Sequence, residues 1–312
     1  MKFKLLGLLL IAIFGGCKQE SDVLFFASFR GNGEDGLHLA YSEDGYKWTV
    51  LNKDSTFLIP KVGESVLMRD PCVITGPDKK FHMVWTTGWN EHGIGYANSE
   101  DLVNWSEQIY IPVMEHEEKA LNCWAPEIVY DDIKEQYMIY WSTTIPGRFP
   151  ETKGSGGNKY NHRMYYVTTK DFQKFSETKL FYEYGFNVID GTILKLKKNE
   201  FVMFLKDETK VPNVEKNIRW TTASNIEGPY SKPSAPITGD YWAEGPTCAK
   251  VGDKYIVYFD KYEVGKMGAV ESTNLKDWKD ISDKVSFPQG TRHGTVFKVP
   301  AKIAKNIISA YK

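Results

Sequence analysis

The amino-acid sequence predicts an all-β protein, a five-bladed β-propeller, and three observations support this fold. One phrase recurs along the chain: an apolar strand ends at a Ser-Glu-Asp type of turn, and an aromatic ring follows. Close copies lie at 41–48 and 96–105, and looser copies lie at 168–175, 223–230 and 271–278. Short alternating strands with Gly, Asp and Asn turns fill the intervals, and the strands at the two chain ends lack partners nearby in sequence. Repeats at such intervals are typical of a radial array, in which each unit buries its faces against its neighbours.

The strand pattern divides the chain into four complete blades and one split blade. In the split blade, an inner-type strand at 294–299 is expected to pair with outer-type strands at 24–29 and 37–41, which removes two exposed sheet edges. Residues 301–312 are expected to form a short tail or helix on the outside. The strands of the complete blades are predicted at 71–75, 81–87 and 93–97; at 127–130, 136–141 and 163–167; at 191–196, 200–205 and 218–223; and at 247–251, 254–259 and 267–271.

The first residues have the pattern of a targeting segment. Lys2 and Lys4 precede an apolar run from Leu5 to Phe14, which is too short to span a bilayer, and Gly-Gly-Cys17 follows. Small residues before a cysteine resemble a bacterial lipobox, so Cys17 is the expected lipidation site; a plain secretory signal is the alternative. We therefore expect residues 1–22 to be a lipoprotein signal peptide and tether. The protein is expected in the bacterial cell envelope, anchored by lipid to the outer membrane on its periplasmic or exposed side.

Length and composition fit one catalytic domain over residues 23–312. The chain has 312 residues, of which 42% are hydrophobic and 14% aromatic, enough for a large single core. A formal net charge of -1 argues against nucleic acid or an anionic membrane surface as a partner, since both need concentrated Lys and Arg. A monomer is expected. Cys72, Cys123 and Cys248 match no zinc spacing and make an odd number, so they are expected to be small buried residues.

The starts of the five predicted inner strands carry the most informative residues, because these positions converge on the propeller axis. Four of the five carry an acid, at 69–71, 124–127, 189–191 and 243–246, and the fifth has Arg-His-Gly at 292–294. Each motif alone could be a turn that starts a strand. Acids at matching positions in four blades favour a functional role over a turn. Carboxylates crowded on one axis repel one another, so a role as strand-starting turns does not explain why they lie together there. Carboxylates whose environments separate their pKa values are the equipment of glycoside hydrolysis.

Two segments interrupt the repeat pattern. Residues 146–162 form a long Gly-rich insertion between predicted strands, and residues 208–217 form a smaller charged one. Loops of this length in a compact domain tend to be functional or mobile. Either segment is therefore a candidate wall for a binding site, with a plain surface loop as the alternative.

Taken in order, these motifs resemble those of glycoside hydrolase family 43: Asp-Pro at 70–71, Trp-Ala-Pro-Glu at 124–127, Ile-Asp at 189–190 and Glu-Gly-Pro at 244–246. The resemblance covers residues 23 to about 299 and implies a five-bladed O-glycosyl hydrolase that inverts the anomeric centre. It implies that Asp70 is the general base, that Asp190 orients the donor and modulates its pKa, and that Glu244 is the general acid. An inverting pair of carboxyl groups is expected about 6.5–9.5 Å apart.

The resemblance also implies residues that bind the sugar substrate, an oligosaccharide or polysaccharide. Trp124, Trp89 and Phe29 are candidates to stack on a sugar ring. Glu127 occupies the acid position of the Trp-Ala-Pro motif, which implies a supporting or sugar-contacting role.

Three basic residues complete the implied site. Arg292 or Arg219 is expected to hold the modulator carboxylate or a sugar hydroxyl. His293 stands where family members place an axial histidine, in some of them near a bound calcium or a water cluster. No cofactor is required by this interpretation, and a structural calcium near His293 is the only metal expectation; no catalytic metal site is predicted.

Two departures from the family pattern bear on specificity. Arg69 precedes Asp70 where related arabinanases often have His, and Arg292 lies beside His293. Both suggest a charged, closed-off pocket, which favours an exo-acting enzyme that removes one terminal sugar. The leading candidate is α-L-arabinofuranose, and β-xylose and galactose follow.

Other functions remain open on the same scaffold. A retaining fructan hydrolase shares the Arg-Asp-Pro motif but needs an upstream Asn-Asp-Pro and a downstream Glu-Cys; residues 23–68 contain no Asn-Asp-Pro, and Gly follows Glu244. A non-catalytic glycan-binding lipoprotein and an interaction scaffold are further alternatives. A scaffold needs no axial acids, so the discriminating observation is whether Asp70, Asp190 and Glu244 meet in one pocket.

Overall fold

The protein is described by a computed structural model that covers residues 21–312, so the segment around Cys17 lies outside the described residues. Five antiparallel sheets form a five-bladed β-propeller, as predicted. Blade 1 contains β4 (Arg69–Thr75), β5 (Phe81–Thr86), β6 (Ile94–Ser99) and β7 (Ile109–Ile111); blade 2 contains β8 (Trp124–Asp131), β9 (Gln136–Thr143), β10 (Arg163–Thr169) and β11 (Lys179–Tyr182); blade 3 contains β12 (Val188–Lys197), β13 (Glu200–Asp207) and β14 (Asn217–Ala223); blade 4 contains β15 (Glu244–Val251), β16 (Lys254–Lys261), β17 (Lys266–Ser272) and β18 (Lys279–Asp280).

Blade 5 closes the ring from both ends of the chain. Its order is β19 (Gly294–Val299), β1 (Val23–Ser28), β2 (His38–Ser42) and β3 (Thr49–Val50). β19 runs antiparallel to β1, with Val23 opposite Val299 and Ser28 opposite Gly294. This pairing is the predicted closure, and it makes the two terminal strands neighbours in one sheet.

The recurring phrase is a hydrogen-bonded turn that joins the third and fourth strands of a blade. In blade 1, Ser99 Oγ accepts the Leu102 N–H at 2.8 Å, and Asp101 Oδ1 accepts the Asn104 N–H at 2.7 Å. Such side-chain to backbone bonds replace the ladder bonds that end with the strand. The same bonds recur at Ser42 and Asp44, Thr169 and Asp171, and Ser272 and Asn274.

The core lies between neighbouring blades. Between blades 4 and 5, Trp48 stacks on Phe287 with ring centroids 5.2 Å apart, and Phe26 and Tyr258 meet Trp48 edge to face, each at 5.5 Å. Aromatic pairs in these arrangements add to the stability gained from burial. These rings therefore fix the angle between the split blade and its neighbour.

The chain ends in a helix, α1 (Ala301–Tyr311), which lies against the outside of the propeller. Its buried residues Ala304 and Ile307 belong to the same apolar cluster as Phe25 and Phe81. Two isolated helical turns, Asn52–Asp54 and Pro150–Thr152, lie in connections. No helix among residues 21–312 is long and apolar enough to cross a membrane. All three cysteines in this range are free; Cys72 and Cys123 are buried and Cys248 is half-buried.

Candidate active site

The inner strands of blades 1 to 4 all begin with the same irregularity. Asp70, Ala125, Asp190 and Gly245 have positive φ angles of 51°, 46°, 54° and 58°. The strand pairing shifts register across each of these residues. Residues other than glycine rarely adopt such angles, and strained backbone tends to be retained where a function requires it. At each bulge, two consecutive residues are therefore set at the axial end of the strand in an orientation that a regular ladder would not give.

The bulges place the three predicted catalytic acids around one cavity of about 390 Å³ at the end of the propeller axis. Asp70, Asp190 and Glu244 come from the inner strands of three different blades, and all three line this cavity. The cavity is of the size that small-molecule sites have. Its other lining residues are Arg69, Thr86, Trp89, Trp124, Asn158, Tyr160, His162, Ile189, Lys206, Glu208, Tyr262, Arg292 and His293.

Asp70 is a half-buried carboxylate that is held in its ionised form. The Thr86 hydroxyl donates to Asp70 Oδ2 at 2.9 Å, and His293 Nδ1 lies 3.3 Å from Asp70 Oδ1. Burial by itself would raise the pKa of Asp70, but the hydrogen bond and charge of His293, with the charge of Arg69, lower this pKa to about 2. Thr86 also accepts the Ala125 N–H at 2.8 Å, which ties the carboxylate to the bulge of blade 2.

Asp190 has the opposite electrostatic environment. Its Oδ2 accepts the Gly245 N–H at 3.0 Å, so a carboxyl of blade 3 is fixed by the bulge of blade 4. Burial raises the pKa of Asp190 to about 6, and the negative charges of Glu244 and Asp70 add to the rise, whereas the charges of His293 and Lys206 oppose it. Two carboxyl groups on one cavity thus have well-separated pKa values.

Glu244 lies between two cations. Lys206 Nζ is 3.0 Å from Glu244 Oε2, and Arg292 Nη2 is 3.7 Å from Glu244 Oε1. Lys206 is only 1% exposed and also pairs with Glu208 at 2.6 Å, whereas Arg292 Nε pairs with the buried Asp260 Oδ2 at 2.8 Å. The carboxylate of Glu244 is therefore embedded in a network of alternating charges.

His293 connects the acids electrostatically. Burial lowers its pKa, but the charge of Asp190 and the hydrogen bond and charge of Asp70 outweigh burial and raise the pKa to about 9. The imidazole is therefore protonated at neutral pH. A protonated ring does not ligate a cation, and calcium prefers oxygen ligands. No group of three or more His, Cys, Asp or Glu side chains within residues 21–312 could hold a metal ion. These residues do not fit the calcium expected near His293.

Two of the predicted aromatic residues line the cavity and the third lies behind it. Trp89 and Trp124 meet edge to face with ring centroids 5.4 Å apart, and Trp89 is 44% exposed. Trp124 Nε1–H donates to the Trp89 backbone carbonyl at 2.9 Å, which fixes the pair. Phe29 is buried, and its ring lies under the Arg69 guanidinium, 4.8 Å from the carbon to the centroid. The two tryptophans are thus the faces open to a sugar, and Phe29 supports a lining residue.

Glu127 and Arg219 lie outside the lining of this cavity. Glu127 is buried along the axis, where Thr192 Oγ1 donates to its Oε2 at 2.9 Å. Burial raises the pKa of Glu127 to about 7, against the effect of that hydrogen bond. Arg219 pairs with Glu215 at 2.6 Å and with Asp207 at 3.3 Å. The structure therefore places Glu127 beneath this cavity, hydrogen-bonded to Thr192, and Arg219 in a separate ion-pair cluster.

Several lining residues were not predicted from the sequence, and His162 is the most informative. It is 1% exposed, and neither ring nitrogen has a hydrogen-bond partner among residues 21–312. Burial lowers its pKa to about 4, so the ring is neutral and can both donate and accept. Tyr160 stacks on it with ring centroids 5.2 Å apart. Both residues come from the end of the insertion at 146–162, whose wall-forming role the sequence indicated.

The two insertions of the sequence contact each other beside the cavity. The Ser155 carbonyl accepts N–H bonds from Lys210 at 2.6 Å and Val211 at 2.9 Å. Asn158, from the first insertion, and Glu208, from the second, both line the cavity. These bonds join loops from two blades into one wall.

Comparison with known proteins agrees with this geometry. A family model described as "Probable glycosyl hydrolase domain", of the glycoside hydrolase 43-related family, matches residues 22–304. An alpha-L-arabinofuranosidase of Bifidobacterium longum subsp. longum is 24% identical over 194 residues. That match covers 51% of this chain and 18% of the relative, so the chain spans about a fifth of the length of this curated relative.

Solved structures share the fold. A thermostable family-43 glycoside hydrolase superposes with a TM-score of 0.56 at 15% identity, covering 72% of this chain and 78% of that one. A xylan beta-1,4-xylosidase from Bacillus halodurans superposes with a TM-score of 0.54 at 16% identity, covering 71% of this chain and 42% of that one. At these identities the likeness concerns the fold.

The fold and the cavity define a class, the five-bladed propellers with an acidic axial cavity of the kind that glycoside chemistry uses. Within this class, the chain belongs to the glycoside hydrolase 43-related family.

Proposed function

We propose that the protein is an inverting, exo-acting glycoside hydrolase in which Asp70 is the general base and Glu244 the general acid. One observation carries this proposal: Asp70, Asp190 and Glu244 line one cavity, and the environments of two of them move their pKa values in opposite directions. The environment of Asp70 keeps this carboxylate ionised at neutral pH, as a general base requires. A separation of about 6.5–9.5 Å between the base and acid carboxyl groups, expected for inversion, stays a prediction.

The base requires a carboxylate that is ionised and correctly oriented. Asp70 has both properties, because Thr86 and His293 bind its two oxygens and its pKa is about 2. In the proposed reaction Asp70 takes a proton from the attacking water as the water's oxygen bonds to the anomeric carbon. The protonated His293 then stabilises the carboxylate before the attack and stays protonated throughout.

The acid requires a proton on Glu244 when the glycosidic bond breaks. Lys206 and Arg292 contact this carboxylate and hold its two oxygens at the cavity. In the proposed reaction Glu244 gives its proton to the leaving oxygen as the glycosidic bond breaks. Asp190 supports this step, because its own negative charge opposes that of Glu244.

The substrate proposed first is a terminal α-L-arabinofuranose on a plant-type polysaccharide or oligosaccharide. The curated relative is an arabinofuranosidase and one structural neighbour is a xylosidase, which supports arabinofuranose first and β-xylose next, with galactose as a further alternative. Exo action is supported by the wall that the two joined loops build beside the cavity, since an enclosed site favours a chain end over the middle of a polymer.

The test is release of 4-nitrophenol from aryl glycosides of α-L-arabinofuranose, β-D-xylose, β-D-galactose and β-D-fucose. Hydrolysis of one of them identifies the terminal sugar. Asp70→Asn and Glu244→Gln are expected to lower kcat by about 10²–10⁴ while sugar binding is retained, because each removes one proton-transfer group. Wild-type turnover in Glu244→Gln would overturn the assignment. Proton magnetic resonance of the first product distinguishes inversion from retention.

A non-catalytic glycan-binding protein is a second candidate, and the ion pairs of Glu244 with Lys206 and Arg292 favour it. A carboxylate whose oxygens contact two cations is held in place to accept hydrogen bonds from sugar hydroxyls. This second function would be selected if the wild type hydrolyses neither the aryl glycosides nor plant-glycan digests, while calorimetry shows that it binds oligosaccharides.

We further propose that Cys17 is lipidated and that a monomeric catalytic domain is held at the outer membrane. The lipobox-like segment supports this location. Labelling of the expressed protein with a radioactive fatty acid, lost in Cys17→Ala, is the test; equal labelling in both would overturn it.

A further inference from the structure

Arg69 lines the cavity with its guanidinium group held in a fixed orientation. The guanidinium carbon lies 4.3 Å from the Trp89 ring centroid and 4.8 Å from that of Phe29. Its Nη1 donates to Asn32 Oδ1 at 2.9 Å and to the Asn32 carbonyl at 3.3 Å. Trp89 Nε1–H donates to the same Oδ1 at 3.0 Å, which joins all of these groups into one assembly. A guanidinium held in this way loses little freedom when it binds a ligand.

Arg69 differs from the other cations of the cavity in its charge balance. Lys206 pairs with Glu208 and Glu244, Arg292 pairs with Asp260, and His293 pairs with Asp70. Within residues 21–312, Arg69 contacts no carboxylate directly and acts on Asp70 only through its charge, and its hydrogen bonds to other residues use Nη1 alone. The Nε and Nη2 donors are therefore available to a ligand.

The consequence follows from desolvation. A glycan that enters the cavity removes water from the lining, and an unpaired charge that loses its water is costly unless an opposite charge replaces it. The guanidinium edge made by Nε and Nη2 matches two oxygens of a carboxylate or a sulfate in a bidentate arrangement. A neutral hydroxyl can accept one of these bonds but brings no compensating charge.

We propose that the glycan substrate carries an anionic group, a uronate carboxylate or a sulfate ester, and that Arg69 is the residue that binds it. This inference rests on the proposed glycan function of the cavity and names the class of glycan. The terminal sugar that is removed is then part of an acidic polysaccharide or oligosaccharide. Phe29 acts as a positioning residue, because its ring lies 4.8 Å from the guanidinium carbon of Arg69 and also contacts that of Arg292 at 5.7 Å.

Isothermal titration calorimetry at pH 7 with four sugar probes tests the proposal. The probes are D-glucuronate, D-galacturonate, D-galactose 6-sulfate and D-galactose. We expect the anionic probes to bind at least about tenfold more tightly than D-galactose, which corresponds to about 1.4 kcal/mol. The uronates and the sulfated sugar distinguish the two sources of the anion. Equal binding of the charged and neutral probes would overturn the proposal.

Variants assign the preference to Arg69. Arg69→Met is expected to remove the preference for anionic probes, and Arg69→Lys to retain part of it, because lysine keeps the charge but not the fork. Asn32→Ala keeps the charge and frees the side chain, so it should weaken the preference without abolishing it. Arg148→Met is the matched control, since Arg148 pairs with Glu117 and lies outside the lining of the cavity.

Three outcomes decide this inference, and the last two separate it from the proposed catalysis. If Arg69→Met is folded by circular dichroism but loses affinity for charged and neutral probes alike, Arg69 has a structural role and the inference is overturned. Preferential anion binding by a wild type that hydrolyses no glycoside supports the inference and removes only the catalytic proposal. Hydrolysis with no preference for charged probes removes the inference and leaves the catalytic proposal intact.

Discussion

His293 Nδ1 lies 3.3 Å from Asp70 Oδ1, and this contact joins the inner strand of blade 1 to the split blade that closes the propeller. The contact shifts the pKa values of both residues in the directions expected for an ion pair. The pKa of Asp70 falls to about 2, and the pKa of His293 rises to about 9. Between these two values both groups are charged, so the proposed base is linked to the closure of the ring over this whole pH range.

The first prediction concerns stability at alkaline pH. Because the pKa of His293 is raised from 6.5 to about 9, its contribution is fully present below pH 6.5 and is lost as pH rises through 9. Between pH 6.5 and 9.5, we expect the Tm of the wild type to fall more than the Tm of a His293→Asn variant, by on the order of 5 °C. Differential scanning calorimetry at both pH values measures this. Parallel Tm curves for the wild type and His293→Asn would contradict the charged pair.

The sequence predicted the propeller well because its signals are local and repeated. The turn at Ser99 and Asp101 and its copies mark the same point of successive blades, and strand alternation supplies the rest. The outer strands β3, β7, β11 and β18 were not predicted, because two to four residues are too short to show a period. The inner strands were predicted to start two or three residues late in blades 1 to 4. The bulge at each start interrupts the alternation on which the prediction depends.

The acids of the site were predictable for the same reason, and their partners were not. Asp70 and Asp190 occupy the same bulge position in their blades, and Glu244 directly precedes the bulge residue of blade 4, so the register of the repeat brings the three acids together. Lys206 ends a strand of buried apolar residues, and only its place in that run could have indicated an ion pair. His162 ends an insertion whose path the sequence does not specify. Contacts made by loops and by long side chains depend on the assembled fold.

The second prediction tests the neutral imidazole of His162. His162→Ala removes a buried ring whose two nitrogens have no partner in the described chain, so the loss should appear in substrate binding. We expect KM to rise up to about tenfold with kcat changed little, as the loss of one hydrogen bond of about 1 kcal/mol implies. Steady-state kinetics on the active aryl glycoside provide the measurement. His116→Ala, at an exposed histidine outside the cavity, is the control.

An unchanged KM in His162→Ala would show that the ring serves only to support Trp124, with which it packs at 4.9 Å between centroids.

The third prediction concerns the cation on the proposed acid. Lys206 Nζ lies 3.0 Å from Glu244 Oε2, so Lys206→Met removes one of the two cations that hold this carboxylate in place. In Lys206→Met we expect kcat/KM to fall by about 10- to 100-fold, because small displacements of catalytic groups are costly. Some loss of Tm should accompany it, since Glu208 also loses a partner.

Lys216→Met is the matched control for this variant, because Lys216 pairs with Glu208 and not with Glu244. Its kcat/KM should fall less than that of Lys206→Met. A wild-type kcat/KM in Lys206→Met would show that Lys206 does not position the proposed acid.

The fourth prediction uses two glycines that share a backbone conformation and differ in surroundings. Gly245 has φ +58°, and a Cβ atom there would collide with the His293 imidazole, whereas Gly252 has φ +61° with nothing within 4 Å of the corresponding atom. Both Gly→Ala substitutions therefore carry a similar backbone strain of about 1 kcal/mol. Gly245→Ala should additionally displace His293 from Asp70 and disturb the N–H bond that Gly245 donates to Asp190. We expect kcat/KM to fall by on the order of 10² in Gly245→Ala, because small displacements of catalytic groups are that costly, and to stay near the wild-type value in Gly252→Ala. Equal activity of the two variants would show that the contact between the bulge of blade 4 and His293 is not what positions the base.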